Sequence, residues 1–197
     1  MPRRRKPDPR WLPLETPRLI LREFREGDLG DIHAYGADPE VTRFMIWGPN
    51  TPDDSRQFLG RVLEAQQSWP RASVSMAVEL RAARRIIGAT HLAVIDEANR
   101  TGEIGYTFGR EHWGRGYAAE AAEAMLRQAF ERLRLHRVIA TCNVRNTRSW
   151  RLMEKLGMRR EGCFRQCARV KGRWRNSYLY ALLAKEWRSA RVAASSI

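Results

Sequence analysis

The stretch GEIGYTFGREHWGRGYAAEA, residues 102–121, decides the fold of this chain. Its first seven residues predict a β-strand, and the alanine-rich segment from Tyr117 onward predicts a helix. Gly114 and Gly116 form a Gly-x-Gly turn between them, and glycine lets backbone amides approach a ligand closely. The first amides of a helix lack intrahelical partners and lie at the positive end of its dipole. The turn therefore predicts an anion site suited to a pyrophosphate.

The residues around this turn exclude two commoner phosphate-binding motifs. Ala119 stands where a dinucleotide-binding Gly-x-Gly-x-x-Gly sequence needs its third glycine, and no P-loop Gly-Lys-Ser or Gly-Lys-Thr triplet follows. A Gly-x-Gly pair alone is a weak indication of phosphate binding. The strand before it, the helix after it and the flanking Arg110 and Arg115 strengthen the interpretation.

The rest of the chain predicts an α+β fold. Apolar alternation predicts further strands over residues 18–24, 73–80, 85–95, 137–144, 162–170 and 174–184. Helices are predicted over residues 27–36, 51–69, 117–133 and 146–156, with Asp28, Thr51 and Asn146 as candidate caps. We expect a mixed, mostly antiparallel sheet of about seven strands with helices on both faces. Residues 18–190 should form this single domain, and residues 1–17, with five prolines and a basic run, should form a flexible basic arm.

The positive charge of the chain is concentrated in one region. The 197 residues carry a formal net charge of +14. Residues 1–126 hold 18 basic and 18 acidic residues, whereas residues 127–175 hold 15 basic and 3 acidic residues. Such a region attracts phosphates, nucleic acid or acidic proteins. Because 32 of the 36 basic residues are Arg, codon usage is the alternative explanation.

The composition also predicts where in the cell the protein lies and whether it binds a metal. The longest run free of Asp, Glu, Lys and Arg is residues 86–95, about half of a membrane span, so we expect no membrane partner. The N-terminus carries no apolar signal segment, and three cysteines fit a reducing cytoplasm. The histidines lack metal-ligand spacing, so no metal site is expected and each is interpreted as satisfied or exposed: His33, His91, His112 and His136.

Several motifs in register resemble one family. The segment from Glu111 to Gly116 resembles the acetyl-CoA signature of the GCN5-related N-acetyltransferases (GNAT family). The sequence outside this signature is similar to that of the RimJ/RimL branch of ribosomal-protein N-terminal acetyltransferases. The matching segments are LETPRLILREF at 14–24, GEIGY at 102–106, WGRGYAAEA at 113–121, NVRNTRSWRLMEKLGM at 143–158 and EGCFRQ at 161–166.

The resemblance implies a GNAT fold and acetyl-CoA as cosubstrate. The pantetheine arm would lie along the strand before the Gly-x-Gly turn, pairing with its main chain as an added strand would. The pyrophosphate would sit on the amides of residues 113–118. The implied cofactor-binding residues are Tyr106, Thr107, Phe108, Arg110, Trp113, Gly114, Arg115, Gly116, Tyr117, Ala118 and Asn146.

Two residues are candidates for proton transfer. The branch uses the Ser of an Asn-x-x-Ser sequence as general acid toward the CoA sulfur, which corresponds to Ser149 here; capping of its own helix is the alternative. Glu103 is the candidate base, on the strand beside the cofactor, with a surface carboxylate as the alternative. Strand alternation places Glu103 and Thr107 on one face and Ile104 and Tyr106 on the other.

Three positions depart from the pattern of the family. Glu111 stands where the signature usually has Gln or Arg. Met153 occupies the position of a catalytic Tyr in many relatives, so Ser149 gains importance. Ala168 lies where the closest ribosomal enzymes carry a Glu that positions water.

The predicted activity is acetyl transfer from acetyl-CoA to a primary amine in a direct ternary complex. The favoured acceptor is a protein N-terminus, with ribosome association and oligomer formation possible. A small amine such as an antibiotic or metabolite is one alternative, and an inactive acyl-CoA-binding or ribosome-associated module is another. Trp47, beside Gly-Pro in a loop, is a candidate wall of an acceptor cleft, with core packing as the alternative.

Overall fold

A computed structural model describes residues 13–68 and 70–195, and side chains as far as residue 191. Its strands are β1 (Leu14–Glu15), β2 (Leu19–Arg22), β3 (Ser73–Leu80), β4 (Arg85–Asp96), β5 (Thr101–Phe108), β6 (Arg137–Asn143), β7 (Arg159–Val170) and β8 (Arg173–Leu183). Its α-helices are α1 (Leu29–Gly36), α2 (Pro39–Thr42), α3 (Pro52–Ala65), α4 (Tyr117–Arg127), α5 (Thr147–Lys155) and α6 (Ala184–Ser195). Among these residues, no helix is both long and apolar enough to cross a membrane.

The strands form one mixed sheet in the order β1-β2-β3-β4-β5-β6-β8-β7. Within the described part of the chain, the pair β5–β6 is parallel and the other neighbours are antiparallel. A parallel connection needs a crossover, and α4 supplies it between β5 and β6. The predicted fold class is therefore confirmed, with eight strands in place of about seven.

Helices cover both faces of the sheet. On one face, buried residues of β2 to β6 pack against α4 and α5, with Leu21, Met76 and Leu126 fully buried. On the other face, Ala77 and Ile86 pack against Ile32 of α1 and Leu59 of α3. Alternate residues of a strand point to opposite faces, so β3 supplies both cores.

The additional strand is β1, which lies inside the segment predicted to be a flexible arm. Leu14 and Glu15 pair with Leu21 and Ile20, and Leu14 packs against the core. The prediction was wrong for these residues because so short a strand has no periodicity of its own and forms only by pairing with β2. Residues 1–12 of the predicted arm lie outside the described residues.

Helix boundaries differ from the prediction where tertiary contacts decide them. Thr51 caps α3 as expected, through a capping box with Asp54, but the helix ends at Ala65. The π-turn at residues 128–132 follows α4, so the predicted single helix is divided. The short α2 and the C-terminal α6 were not predicted.

Asp28 does not cap α1 with its side chain, contrary to expectation. Its carboxylate accepts two hydrogen bonds from the buried guanidinium of Arg22, at 2.8 Å each. Arg22 also donates to Glu79 at 2.6 Å, and the hydrogen bond to Asp28 raises the pKa of Arg22. This buried ion pair fastens the segment after β2 to the sheet.

Replacing Asp28 by Ala should lower the free energy of unfolding by about 3–5 kcal/mol, because it leaves the Arg22 charge buried beside one carboxylate instead of two. Asp53→Ala, which removes the exposed partner of Arg56, is the control and should cost at most about 1 kcal/mol. Urea denaturation measures both. Equal losses for the two variants would contradict the prediction.

Candidate active site

A gap between β5 and β6 is the main feature of the site. The two strands pair only from Thr101 to Glu103 of β5, although β5 continues to Phe108. In β6, the residues after Ile139 pair only with β8, on the side away from β5. The last five residues of β5 therefore form an open edge in the middle of the sheet.

The direction of the main-chain groups on this edge follows from the pairing of β5 with β4. The amide of Gly109 donates to the carbonyl of Ile87 at 2.9 Å. Because hydrogen-bonded pairs alternate in antiparallel strands, the amides and carbonyls of Ile104, Tyr106 and Phe108 point away from β4, into the gap. The carbonyl of Phe108 accepts from the Trp113 indole at 2.8 Å, which folds the following turn back against the strand end.

The backbone of the Gly-x-Gly turn has a conformation that favours glycine. Gly114 and Gly116 have φ angles of +75° and +82°, which residues with a Cβ rarely adopt. Gly116 is the N-cap of α4, and no side chain caps this helix end. Its first amides are thus available to an anion.

Arg18, for which no role was predicted from the sequence, brings a positive charge to the same helix end. Its guanidinium donates to the Arg115 carbonyl at 3.0 Å and lies 4.6 Å from the Tyr117 ring centroid. Glu120 in the first turn of α4 binds Arg18 at 2.7 Å and accepts from Thr16. Burial raises the pKa of Glu120, but these hydrogen bonds outweigh it and leave the pKa below its usual range.

The other charged residues near the turn have separate partners. Arg110, predicted to bind cofactor, forms an ion pair with Asp38 at 3.1 Å. The Glu111 carboxylate is mostly exposed and lies 3.2 Å from His112 Nε2. Arg148 of α5 stacks on the Trp113 ring at 4.6 Å, so a cation from the second helix reaches the turn.

The start of α5 places Ser149 at the gap. Asn146 is the N-cap, and its Oδ1 accepts from the Ser149 amide at 3.3 Å. The Ser149 hydroxyl lies 3.2 Å from the Tyr106 hydroxyl, across the gap. The side chain thus faces β5, and only its amide takes part in capping.

Both neighbours of Ser149 are held in their neutral forms. Burial raises the pKa of Tyr106 to about 12, against the opposing hydrogen bond from Ser149. Burial likewise raises the pKa of Cys142 to about 11. At neutral pH both groups are uncharged, so Tyr106 orients the Ser149 hydroxyl without adding charge to the gap.

On the opposite face of β5 lies a cavity of about 680 Å³. Residues 105–107 of β5 and 89–91 of β4 form its floor, and α1 and α3 supply two walls. The remaining wall is the loop 45–50, in which Trp47 lines the cavity and also packs on the core. The loop is held from outside, since Lys171 and Arg175 donate to the carbonyls of Thr42 and Arg43.

The comparisons with known proteins agree with this architecture. A family model for the acetyltransferase (GNAT) domain matches residues 18–159. The chain belongs to the GNAT family. Its members are acyltransferases that use acetyl-CoA, so this protein is an acetyltransferase of that type, as predicted.

Three similar proteins illustrate its relationships. YnaD of Bacillus subtilis, described as an uncharacterized N-acetyltransferase, is 35% identical over 176 residues, covering 88% of this chain and 98% of YnaD. The crystal structure of a GNAT-family acetyltransferase from Bacillus anthracis gives a TM-score of 0.78 at 34% identity, covering 88% of this chain and 99% of that one. The [ribosomal protein uS5]-alanine N-acetyltransferase of Escherichia coli is 29% identical over 109 residues, covering 55% of this chain and 56% of that enzyme.

The structure brings most predicted site residues of this GNAT acetyltransferase together. Tyr106, Ser149 and Asn146 meet at the gap, and the Gly-x-Gly turn closes its end. Met153 is buried in the core and offers no hydroxyl. Glu103 lies on the cavity face of β5, as alternation predicted. Among the described residues, no cluster of three or more His, Cys, Asp or Glu side chains could hold a metal ion.

Three contributions were missed from the sequence. Arg18 stands in a motif that carried the resemblance, but nothing in its spacing shows that it reaches α4. Tyr106 was chosen for its main chain, whereas its hydroxyl also positions Ser149. His91 is exposed and hydrogen-bonded to Ser75, as interpreted, but its place in the lining of the cavity was not predicted. Strand register would have aligned His91 with β5 if the pairing had been known.

Replacing Gly116 by Ala should weaken acetyl-CoA binding roughly tenfold, the equivalent of one lost hydrogen bond to a charged group. A Cβ at φ +82° costs about 1–2 kcal/mol and displaces the amides that face the phosphates. Calorimetry with acetyl-CoA measures the affinity. Gly172→Ala, at φ +78° in the β7–β8 turn, carries the same strain and should leave the affinity unchanged. A loss of affinity in both variants would point to general destabilisation.

Proposed function

We propose that this acetyltransferase moves the acetyl group of acetyl-CoA to the N-terminal α-amine of a protein in a direct ternary complex. The observation that carries the proposal is the gap between β5 and β6, which joins the anion-binding turn, the Ser149 hydroxyl and the cavity. A thioester held on β5 would have the hydroxyl on one face and the acceptor on the other. One continuous site then contains every group that direct transfer needs.

The main chain of β5 suits the pantetheine arm. The amide and carbonyl of Tyr106 and the amide of Phe108 point into the gap, where an extended ligand can pair with them as a strand would. We assign the Phe108 amide to the thioester carbonyl oxygen, which becomes negative during transfer. The pyrophosphate then reaches the amides after Gly116, with Arg18 and Arg148 beside them.

Acetyl transfer requires attack by the acceptor amine and departure of the CoA thiolate. The neutral amine nitrogen bonds to the thioester carbon, the carbon–sulfur bond breaks, and its electron pair goes to the sulfur. The Ser149 hydroxyl donates a hydrogen bond to the developing thiolate. Tyr106 holds that hydroxyl toward the gap, so it is oriented before the substrate arrives.

The surface and the relatives favour a protein acceptor. The largely exposed strand β7 carries Arg159, Arg160, Arg165 and Arg169, in the region where the net charge is concentrated. Such a surface repels polyamines and attracts acidic segments or ribosomal RNA. The relative from Escherichia coli acts, by its name, on ribosomal protein uS5. Three free thiols suit a reducing cytoplasm as the place of the reaction.

A small amine is the second candidate, and the cavity supports it. Ile32, Ile46, Trp47, Pro49 and Phe58 give it largely apolar walls. Asp54 adds one carboxylate at the start of α3. An amine attached to an apolar body would fit this lining better than a long polycation would.

A panel of acceptors tests the proposal. CoA release is measured with acetyl-CoA against peptides with free N-termini and, in parallel, against spermidine, aminoglycosides and aromatic amines. We expect kcat/KM to be highest for peptides, and 0.5 M salt should raise the peptide KM more than the acetyl-CoA KM. A clear preference for a small amine would replace the acceptor class, and no release with any amine would overturn the proposal.

Ser149→Ala should lower kcat roughly 100-fold with little change in acetyl-CoA affinity, because the lost hydrogen bond acts on the departing sulfur. Thr147→Ala, an exposed hydroxyl in the same helical turn, is the control and should keep wild-type turnover. Steady-state kinetics and calorimetry measure the two quantities. Unchanged turnover in Ser149→Ala would remove Ser149 from the mechanism.

A further inference from the structure

We propose that His91, and not Glu103, takes the proton from the acceptor amine, and that Glu103 is a positioning residue that acts through His91. This inference rests on the proposed function, since it assumes an amine in the cavity. It concerns residues on the face of the sheet away from Ser149. Acid and base would then act from opposite sides of β5.

Register across three strands places His91 in the cavity floor. His91 of β4 lies opposite Gly105 of β5 and opposite Ser75 of β3. Gly105 has no side chain, so nothing on β5 covers the imidazole at this position. The ring is directed to the same face as Ser75, and both residues line the cavity.

Glu103 lies beside His91 but does not itself line the cavity. It pairs with Ala93, so it is the diagonal neighbour of His91 on the same face, at roughly 7–8 Å between backbones. It is not among the described residues that line the cavity. A base must come within hydrogen-bond reach of the proton that it accepts, directly or through one water. His91 meets this requirement, and Glu103 is placed to act on His91.

Ser75 fixes the useful orientation of the imidazole. Its Oγ lies 3.1 Å from His91 Nδ1. A hydroxyl can accept from Nδ1–H, which leaves the Nε2 lone pair for the cavity. The same bond persists when Nε2 gains a proton, so protonation needs no rearrangement of the ring.

The surroundings of His91 favour its neutral form. Burial lowers the pKa of His91 below the usual histidine value, and the nearby charge of Glu103 partly opposes this. At neutral pH the ring therefore has a free lone pair. The other titratable or charged side chains that face it across the cavity, among the described residues, are Tyr35 of α1 and Asp54 and Arg61 of α3.

The proton balance of the transfer is then complete. As the amine nitrogen bonds to the thioester carbon, its proton passes to His91 Nε2. The electron pair of the broken carbon–sulfur bond stays on the sulfur, which accepts a hydrogen bond from Ser149. The imidazolium, stabilised by Glu103, afterwards releases its proton to solvent through the open side of the cavity.

The pH dependence of kcat separates the role of His91 from that of Glu103. In the wild type we expect the acidic limb below about pH 6.5, where His91 becomes protonated. His91→Gln should move the limb to the amine's own pKa near 8 and lower kcat roughly 100-fold at pH 7, but much less at pH 9.5. Glu103→Gln should retain the limb and shift it to lower pH, because loss of the negative charge lowers the pKa of His91.

A matched histidine serves as the control. His33 Nδ1 also lies 3.1 Å from a serine hydroxyl, that of Ser55, but His33 does not line the cavity within the described residues. His33→Gln should therefore leave the pH profile unchanged. Titration of the His91 ring by NMR in wild type and Glu103→Gln gives a readout independent of turnover, and the variant should show the lower pKa.

Three results would overturn the inference. One is an unmoved acidic limb in His91→Gln, the second is loss of the limb in Glu103→Gln alone, and the third is an unchanged His91 titration in Glu103→Gln. The first two presuppose an active wild type, so they leave the proposed acetyl transfer standing. A wild type inactive toward every amine would instead defeat the proposed function, and His91 would lose its role with it.

Discussion

Separation of β5 from β6 after Glu103 is the constraint on which the rest of the site depends. A strand in the interior of a sheet normally has both edges paired, because unpaired backbone groups are costly when they are shielded from water. Here the even-numbered residues of β5 keep their amides and carbonyls directed into a gap. A cosubstrate with its own amides can satisfy them. The binding site that we propose at this unpaired edge is therefore made of main chain, and it does not depend on particular side chains.

The side chains of β5 then divide the chemistry between two faces. Tyr106 projects toward α5 and meets Ser149, whereas Glu103 projects to the opposite face beside His91. A thioester on the strand edge lies between them. In the mechanism that we propose, this division keeps the groups that assist the departing sulfur apart from those that take the proton of the incoming amine. It follows from the two-residue period of a strand, so a shift of one residue in register would exchange the two sets.

The sequence revealed the parts of this arrangement that are local. Residues 102–121 predicted the strand, turn and helix, and the Asn146 cap of α5 followed from its residue type. Contacts between distant segments were not predictable. Arg18 reaches α4 across about a hundred residues of chain, Asp28 prefers Arg22 to a helix cap, and His91 meets Ser75 through strand register. Each depends on which strands pair, and periodicity alone does not specify pairing.

The tip of the β7–β8 hairpin supports the cavity in a way that bears on how acceptor choice can diverge. Lys171 and Arg175 hold the chain just before the loop 45–50 by the backbone oxygens of Thr42 and Arg43. Trp47 also holds the loop because it packs on the core, whereas Met45 and Ile46 do not belong to that core. Descendants of this protein can exchange Met45 or Ile46 and so change the shape of the pocket, while the anchoring of its wall survives. Selectivity and scaffold are encoded in separate residues, which makes the acceptor site open to evolution at little cost in stability.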